Sequence, residues 1–240
     1  VARVLTVLAR GDADGVSSAA VVKAALAGEY ETVRVYFTHP VDSVKDFGAF
    51  AEGDVYVVDV AIDEKTADEV RRAFRSYGGK VAYIDHHPLS VDLPRVEVVP
   101  EAGSSVSELA YRHLGGRLPR PYSRVALYGT IGDYLDHTEW VEEALEAWDR
   151  RLVYFEAGVL MQVLERARKD HEFKRAVVDH LAGNSPPSAM ERLMKLAEEQ
   201  ARVNEALMGW VARNASLLGA VAVVVNPRGR WGSPPTWRGG

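Results

Sequence analysis

Val81-Ala82-Tyr83-Ile84-Asp85-His86-His87-Pro88 is the stretch whose reading decides the fold. Four strand-forming residues run into a carboxylate, two imidazoles and a proline, the pattern of a buried strand that ends in a loop. In an open α/β sheet, ligands collect outside the carboxyl ends of the strands. A carboxylate and two imidazoles at such an end make a candidate metal or proton-transfer site. Taken alone, the triplet reads equally well as a solvated loop. What raises it is that three more apolar runs lead into aspartate.

Upstream, residues 4–8 read as a first buried strand, followed by Ala9-Arg10-Gly11-Asp12-Ala13-Asp14-Gly15. Residues 17–27 are alanine-rich and apolar at helical spacing, which makes this strand, acidic loop, helix. Two carboxylates so close in a glycine-bounded loop can face one cation and bridge to a second. Asp14 by itself would also serve as a helix N-cap. A second strand over 32–37 leads into Thr38-His39-Pro40, where His39 reads as a loop histidine. A third, over 54–58, ends in Asp59, and a helix from 63 to 77 follows, closed by Gly78-Gly79 as a C-cap. Strands and helices alternating at these lengths predict an α/β fold with a doubly wound, mostly parallel sheet.

Downstream, 96–99 is a further short strand, and Ser105 with Glu108 forms a capping-box pattern opening a helix to 114. The next helix opens near Ser123 and carries Gly129-Thr130-Ile131-Gly132-Asp133. An aspartate on so apolar a helix is costly unless paired or metal-bound; the alternative is an exposed helix end. Asp136 and His137 behind it read as exposed. Residues 141–214 are helical with balanced charge, interrupted at Gly183-Asn184-Ser185-Pro186-Pro187, with Pro187 at or near the start of the last helix. Residues 217–225 read as one strand of a new unit, and 226–240 as an unstructured tail. Trp231 and Trp237 in that tail, among arginines, have the composition of a base-stacking platform, although the tail reading takes precedence. The pattern divides the chain into an α/β domain over 1–150, a helical extension or linker over 151–215, and a C-terminal remnant with a tail over 216–240.

A chain of 240 residues with 47% hydrophobic content buries a sizeable core. The net charge of -5 argues against a generally basic, nucleic-acid-coating protein and leaves a local groove open. The absence of cysteine excludes disulfides, zinc–thiolate sites and a thiol nucleophile, which fits a cytoplasmic protein. No apolar run approaches the roughly 20 residues of a membrane span, and the first residues lack a signal-peptide layout.

Collected, the candidates are Asp12, Asp14, Asp59, Asp85 and Asp133 with His86 and His87. Oxygen ligands with imidazole suit Mn²⁺ or Mg²⁺. So many anionic ligands invite two cations, roughly 3.5–4 Å apart, on either side of an in-line phosphoryl displacement.

In this order the motifs resemble those of the DHH phosphoesterase family, which includes RecJ nucleases, nanoRNases and family II pyrophosphatases. Gly11-Asp12-Ala13-Asp14-Gly15 is similar to its first motif, Val57-Val58-Asp59 to its second, Asp85-His86-His87 to its third, and Gly129-Thr130-Ile131-Gly132-Asp133 to its fourth. The likeness covers about residues 3–140 closely and the helical stretch beyond loosely, and is nearest to archaeal RecJ-like members. It implies a DHH-type sheet and a Mn²⁺- or Mg²⁺-dependent phosphodiesterase or exonuclease acting on single-stranded or short nucleic acid. It assigns Asp12 and Asp59 to one metal, with Asp59 bridging, and Asp14, His86 and Asp133 to the other. His87 faces the substrate phosphate, and Asp85 is a ligand or orients its neighbours.

The chain departs from the pattern twice. Arg10 stands where the family carries a histidine, and a guanidinium has no lone pair for a metal. The first ion's site is then weak or empty, with Arg10 on Asp12 or on a substrate phosphate. The C-terminal substrate-binding domain also looks truncated after Val225. These departures favour an alternative, a weakly active or inactive DHH-fold subunit that binds replication or repair proteins. A pyrophosphatase is the less favoured third reading.

Overall fold

The computed structural model describes residues 3–225; Trp231, Trp237 and the expected tail lie outside the described residues. Five strands, β1 (Val4–Ala9), β2 (Thr32–Phe37), β3 (Asp54–Val58), β4 (Val81–Asp85) and β5 (Val96–Pro100), form one sheet. Its order is β2-β1-β3-β4-β5 and every neighbouring pair is parallel. The inner strands are apolar at nearly every position because both faces are covered. Leu5, Val7, Ala9, Val58 and Ile84 point into one core, and Leu8, Val55, Val57, Val81 and Tyr83 into the other. The edge strands β2 and β5 are more exposed along their length.

The first core is closed by α1 (Ala13–Leu26), α4 (Val106–Leu114), α5 (Ser123–Gly132) and α6 (Glu139–Leu145), with α7 (Arg150–Arg166), α8 (His171–Ala182) and the start of α9 (Glu191–Asn214). The helices after residue 150 thus share that core: Val153, Leu160, Val177 and Leu181 pack in the same cluster as Val16 and Leu127. The second, smaller core lies under α2 (Ser43–Phe50) and α3 (Ala67–Ser76), where Phe47 meets Phe74 and Val70 is buried. Helix α1 is buried on almost every side, touching α4, α5, α7 and α8. Its run of Gly15, Ser17, Ser18, Ala19 and Ala20 is small enough to allow that crowding.

Several expectations are corrected. Helix α1 opens at Ala13 rather than 17, because the Asp12 carboxylate accepts from the Gly15 N–H (3.1 Å) and starts the helix there. Asp14 and Gly15 therefore belong to the first helical turn and not to a loop. Helix α3 opens at Ala67 rather than 63, since the Asp63 side chain turns the chain by accepting from the Lys65 N–H (2.8 Å). Its end is extended at Tyr77 and no left-handed glycine caps it; Gly79 is needed because a Cβ there would stand 2.1 Å from the Gly53 carbonyl oxygen. Helix α2 had no counterpart in the sequence reading. The single strand expected over 217–225 is an antiparallel pair, β6 (Ser216–Leu218) and β7 (Val221–Val223), because Gly219 turns the chain at φ +64°. Pro187 lies in a short 3₁₀ turn, Pro187–Ala189, just ahead of α9. Among the described residues no helix is long and apolar enough to cross a membrane.

Register aligns the strand ends. Ala9 sits beside Val58 and Val58 beside Ile84, and the Asp59 N–H continues the ladder to the Ile84 carbonyl (3.1 Å). The residues that follow β1, β3 and β4 therefore emerge together at one edge. Helix α5 stops at the same edge in a Schellman turn: the Leu135 N–H bonds the Thr130 carbonyl (3.1 Å) and the Tyr134 N–H that of Ile131 (3.2 Å). The left-handed position of this turn, usually glycine, is Tyr134 (φ 59°), a residue 76% exposed that returns little packing. Tyr134→Gly is expected to raise stability by about 0.5–1 kcal/mol, read as an increased urea midpoint at unchanged slope.

Candidate metal centre

Asp12 caps α1 and has one oxygen on the Gly15 N–H and the other on Arg10 Nε (2.6 Å). Asp14, in the first turn of the same helix, is buried and points away from it. Its Oδ2 accepts from the Val106 N–H (2.7 Å) and its Oδ1 from the Ser107 N–H (2.8 Å), in the first turn of α4. Asp14 is thus a helix cap after all, but of a helix 92 residues away rather than its own. Unpaired N–H groups at a helix N-terminus suit a carboxylate. Gly129 of α5 lies against the pair: a Cβ there would stand 2.4 Å from Ser107 Oγ and 2.9 Å from Asp14 Oδ1.

Asp59 follows β3 in the left-handed region (φ 56°) and is buried. Aspartate tolerates that conformation better than most residues, yet it remains a strained position that the surroundings must hold. His86 and His87 leave β4 on consecutive positions and are tied down separately. His86 Nδ1 donates to the Ser104 carbonyl (3.0 Å), so Nε2, 3.7 Å from Asp133 Oδ2, is the nitrogen turned towards the carboxylates. His87 Nδ1 meets Asp85 Oδ1 (2.6 Å), which also accepts from the His87 N–H (2.7 Å). Asp85 Oδ2 is buried and has no hydrogen bond among the described residues. Asp133 is the C-cap of α5, and its side chain is partly exposed.

The sequence candidates are therefore brought to one edge, in two overlapping sets. The ligand atoms of Asp59, His86 and His87 lie within 4.8 Å of one another, as do those of Asp14, His86 and Asp133. Among the described residues, Asp12 and Asp85 join neither set of three. His39 is exposed and outside both.

Sequence reasoning missed two contributors. The backbone of Val106 and Ser107 carries no side-chain signature. Lys174 of α8 donates to the Gly11 carbonyl (2.6 Å) from a buried position. A signal for it existed: Lys174 lies on the buried face of α8 with Phe173, Val177, Val178 and Leu181, where a lysine needs a polar partner.

The carboxylates are short of positive charge. Burial, the nearby Asp133 and too little compensation from Ser107 and Val106 push Asp14 up to about 7. Burial, then Asp12 and Asp14, raise Asp59 well above the carboxylate range. Asp133 is raised by burial, with His86 opposing. His87 is raised by its hydrogen bond to Asp85, and burial lowers Lys174 while Asp12 opposes. Oxygen and imidazole donors without sulfur, a bare Nε2 and crowded carboxylates all fit a hard divalent cation. Either set, Asp14 with His86 and Asp133 or Asp59 with His86 and His87, would hold it.

No family model and no characterised protein sequence matches the chain. Solved structures do. The chain is similar to exonuclease RecJ bound to manganese (TM-score 0.55, 18% identity, covering 89% of this chain and 66% of that one). It is also similar to RecJ in complex with Mn²⁺ from Thermus thermophilus (TM-score 0.56, 20% identity, 88% of this chain and 37% of that one). A third is the DHH domain of a member of a family of ribosomal proteins (TM-score 0.63, 13% identity, 90% of this chain and 60% of that one). The fold is a DHH-type α/β fold, and within that class it is RecJ-like. The chain spans 37–66% of the length of these structures.

Gly129→Ala is expected to cost about 1–3 kcal/mol in urea unfolding and to weaken Mn²⁺ binding, since the new methyl displaces Asp14 or Ser107. The raised carboxylates also set a pH dependence. In the folded state they hold protons that the unfolded chain has already lost. Between about pH 4 and about 7, the window set by Asp14, the metal-free protein therefore loses stability as pH rises. The slope reaches about 1.4 kcal/mol per pH unit for each such group. His87 acts in the same direction above its ordinary range. Thermal melting of the metal-free chain should give a higher Tm at pH 5 than at pH 7; Asp14→Asn should flatten the difference, and Mn²⁺, taking the place of the protons, should reverse it.

Proposed function

We propose that the protein is a Mn²⁺- or Mg²⁺-dependent phosphoesterase that hydrolyses phosphodiester bonds in single-stranded or short nucleic acid, in the cytoplasm. The observation that carries this reading is the pair of ligand sets sharing His86, with Asp14 and Asp133 in one and Asp59 and His87 in the other. A bound ion there supplies a water of lowered pKa and charge against the phosphate oxygens. The RecJ-like fold, found in structures bound to manganese, supports the same chemistry.

The remaining groups have roles of their own. Asp85 orients His87 through Nδ1 and favours its protonated form, in which His87 no longer ligates and its Nε2–H donates to a phosphate or leaving oxygen. Asp12 and Asp133 are partly exposed, so the centre opens to solvent on the side where a strand of nucleic acid would enter. The second reading, a weakly active or inactive subunit binding replication or repair proteins, is favoured by one observation: Asp12 is held by Arg10 and lies outside both ligand sets.

Mn²⁺ titration and a cleavage assay on a labelled single-stranded oligonucleotide of about 20 nucleotides separate the two. Asp59→Ala is expected to lower Mn²⁺ affinity by about 100-fold or more and to abolish cleavage. Equal affinity in the two proteins would remove Asp59 as a ligand. Tight Mn²⁺ binding by the wild type without cleavage would favour the binding subunit.

A further inference from the structure

The number of carboxylates in this centre suggests two ions, but the arrangement of the charges does not. Asp12, the ligand expected to serve the first ion together with Asp59, lies outside both ligand sets, and its Oδ2 is held by the charged Arg10 Nε at 2.6 Å while Oδ1 accepts from the Gly15 N–H. A second cation is built into the same loop, where Lys174 reaches from α8 to the Gly11 carbonyl. A Cβ at Gly11 would lie 2.5 Å from its Nζ, so the ammonium packs directly against the glycine. The Arg10 side chain is 35% exposed and that of Asp12 48%, so the guanidinium stands on the open side of the centre. Beyond Asp12 its side chain makes no other hydrogen bond among the described residues. A planar guanidinium with free N–H groups beside an ion site suits a phosphate oxygen.

We infer that Arg10 and Lys174 occupy the place and supply the charge of a first ion, so that the centre is a one-ion site at the ligand sets sharing His86, with a built-in guanidinium as its second phosphate-binding cation. This rests on the metal centre of the proposed function. Arg10 binds an incoming phosphate on the side of Asp12, opposite the ligand set around His86. Lys174 acts on the loop: it holds the Gly11 carbonyl, keeps the Asp12 carboxylate against Arg10, and adds a positive charge that repels a dication from that position. The centre thereby meets a phosphodiester with one exchangeable and two fixed cations.

The experiment is Mn²⁺ alone, counted by native mass spectrometry and isothermal titration on the full chain, with circular dichroism to confirm that each variant is folded. Wild type is expected to take one tight Mn²⁺ per chain. Arg10→His, which removes a permanent charge and adds a ligand, is expected to take a second, about 100-fold tighter than any second ion on the wild type. Arg10→Lys should stay at one ion, and Lys174→Met added to Arg10→His should tighten the second ion further. In the Mn²⁺-loaded protein, Arg10→Gln should weaken inorganic phosphate binding about tenfold. Two equally tight ions on the wild type, or only one on Arg10→His, would overturn the inference. Unchanged phosphate affinity in Arg10→Gln would overturn the guanidinium's part in it. If no protein binds Mn²⁺, both this inference and the proposed function fail. If the wild type binds one ion and Arg10→His two, yet neither cleaves nucleic acid, the one-ion centre is supported and the phosphoesterase reading alone is lost.

Discussion

Much of this molecule depends on one buried carboxylate, that of Asp14, placed against the N-terminus of a helix it does not belong to. The Val106 and Ser107 N–H groups have no partner inside α4, and Asp14 has little water. Each satisfies the other's need, because an unpaired buried donor or charge would cost more than the pairing gains. The contact fixes α1 against α4, and Gly129 brings α5 up to the same two residues. Gly132 does so once more, since a Cβ there would stand 2.5 Å from the Ala13 Cβ. Three of the helices that close the larger core, α1, α4 and α5, are thereby held together at the edge where the strands end.

That arrangement leaves an electrostatic imbalance. Two N–H dipoles do not compensate a full charge taken out of water, so Asp14 shifts upward, and Asp59 and Asp133 shift with it. Asp59 also sits in a left-handed backbone conformation. A protein optimised for stability alone would not retain three such residues at one edge. A cation bound among them would offset that repulsion and link the stability of this edge to its occupancy. Strain and charge repulsion at one place, held by an otherwise ordinary parallel sheet, are what a binding site costs the fold.

The two histidines show how neighbours in sequence acquire different work. Their rings meet edge-on at 4.5 Å. Each uses Nδ1 to anchor itself, His86 on a backbone carbonyl and His87 on a carboxylate. A neutral anchor leaves His86 suited to be a ligand through Nε2. A charged anchor favours the imidazolium in His87 and suits it to give a proton or bind an anion. The difference lies wholly in what stands behind each ring.

The sequence by itself determined the sheet, the order of the motifs and which residues could bind an ion. Apolar runs such as 81–84 are strands buried on both faces, and their pattern is carried by the chain locally. An aspartate directly after such a run has nowhere to go but the sheet's carboxyl edge, so Asp59, Asp85 and His86 were legible one by one. Only the tertiary structure decided their partners. Asp14 finds its donors on α4, and Lys174 crosses 163 residues to reach Gly11. Backbone N–H groups leave no mark in a sequence, and the position of a side chain on a buried helix face says that it needs a partner without saying which. Arg10 could be read as a residue unable to bind a metal. That it closes on Asp12, and leaves that carboxylate out of both ligand sets, follows from helix α1 starting at Ala13 and turning the two aspartates apart. Local pattern sets where charges emerge; packing sets which of them meet, because the distances that govern electrostatics are fixed only when the helices dock.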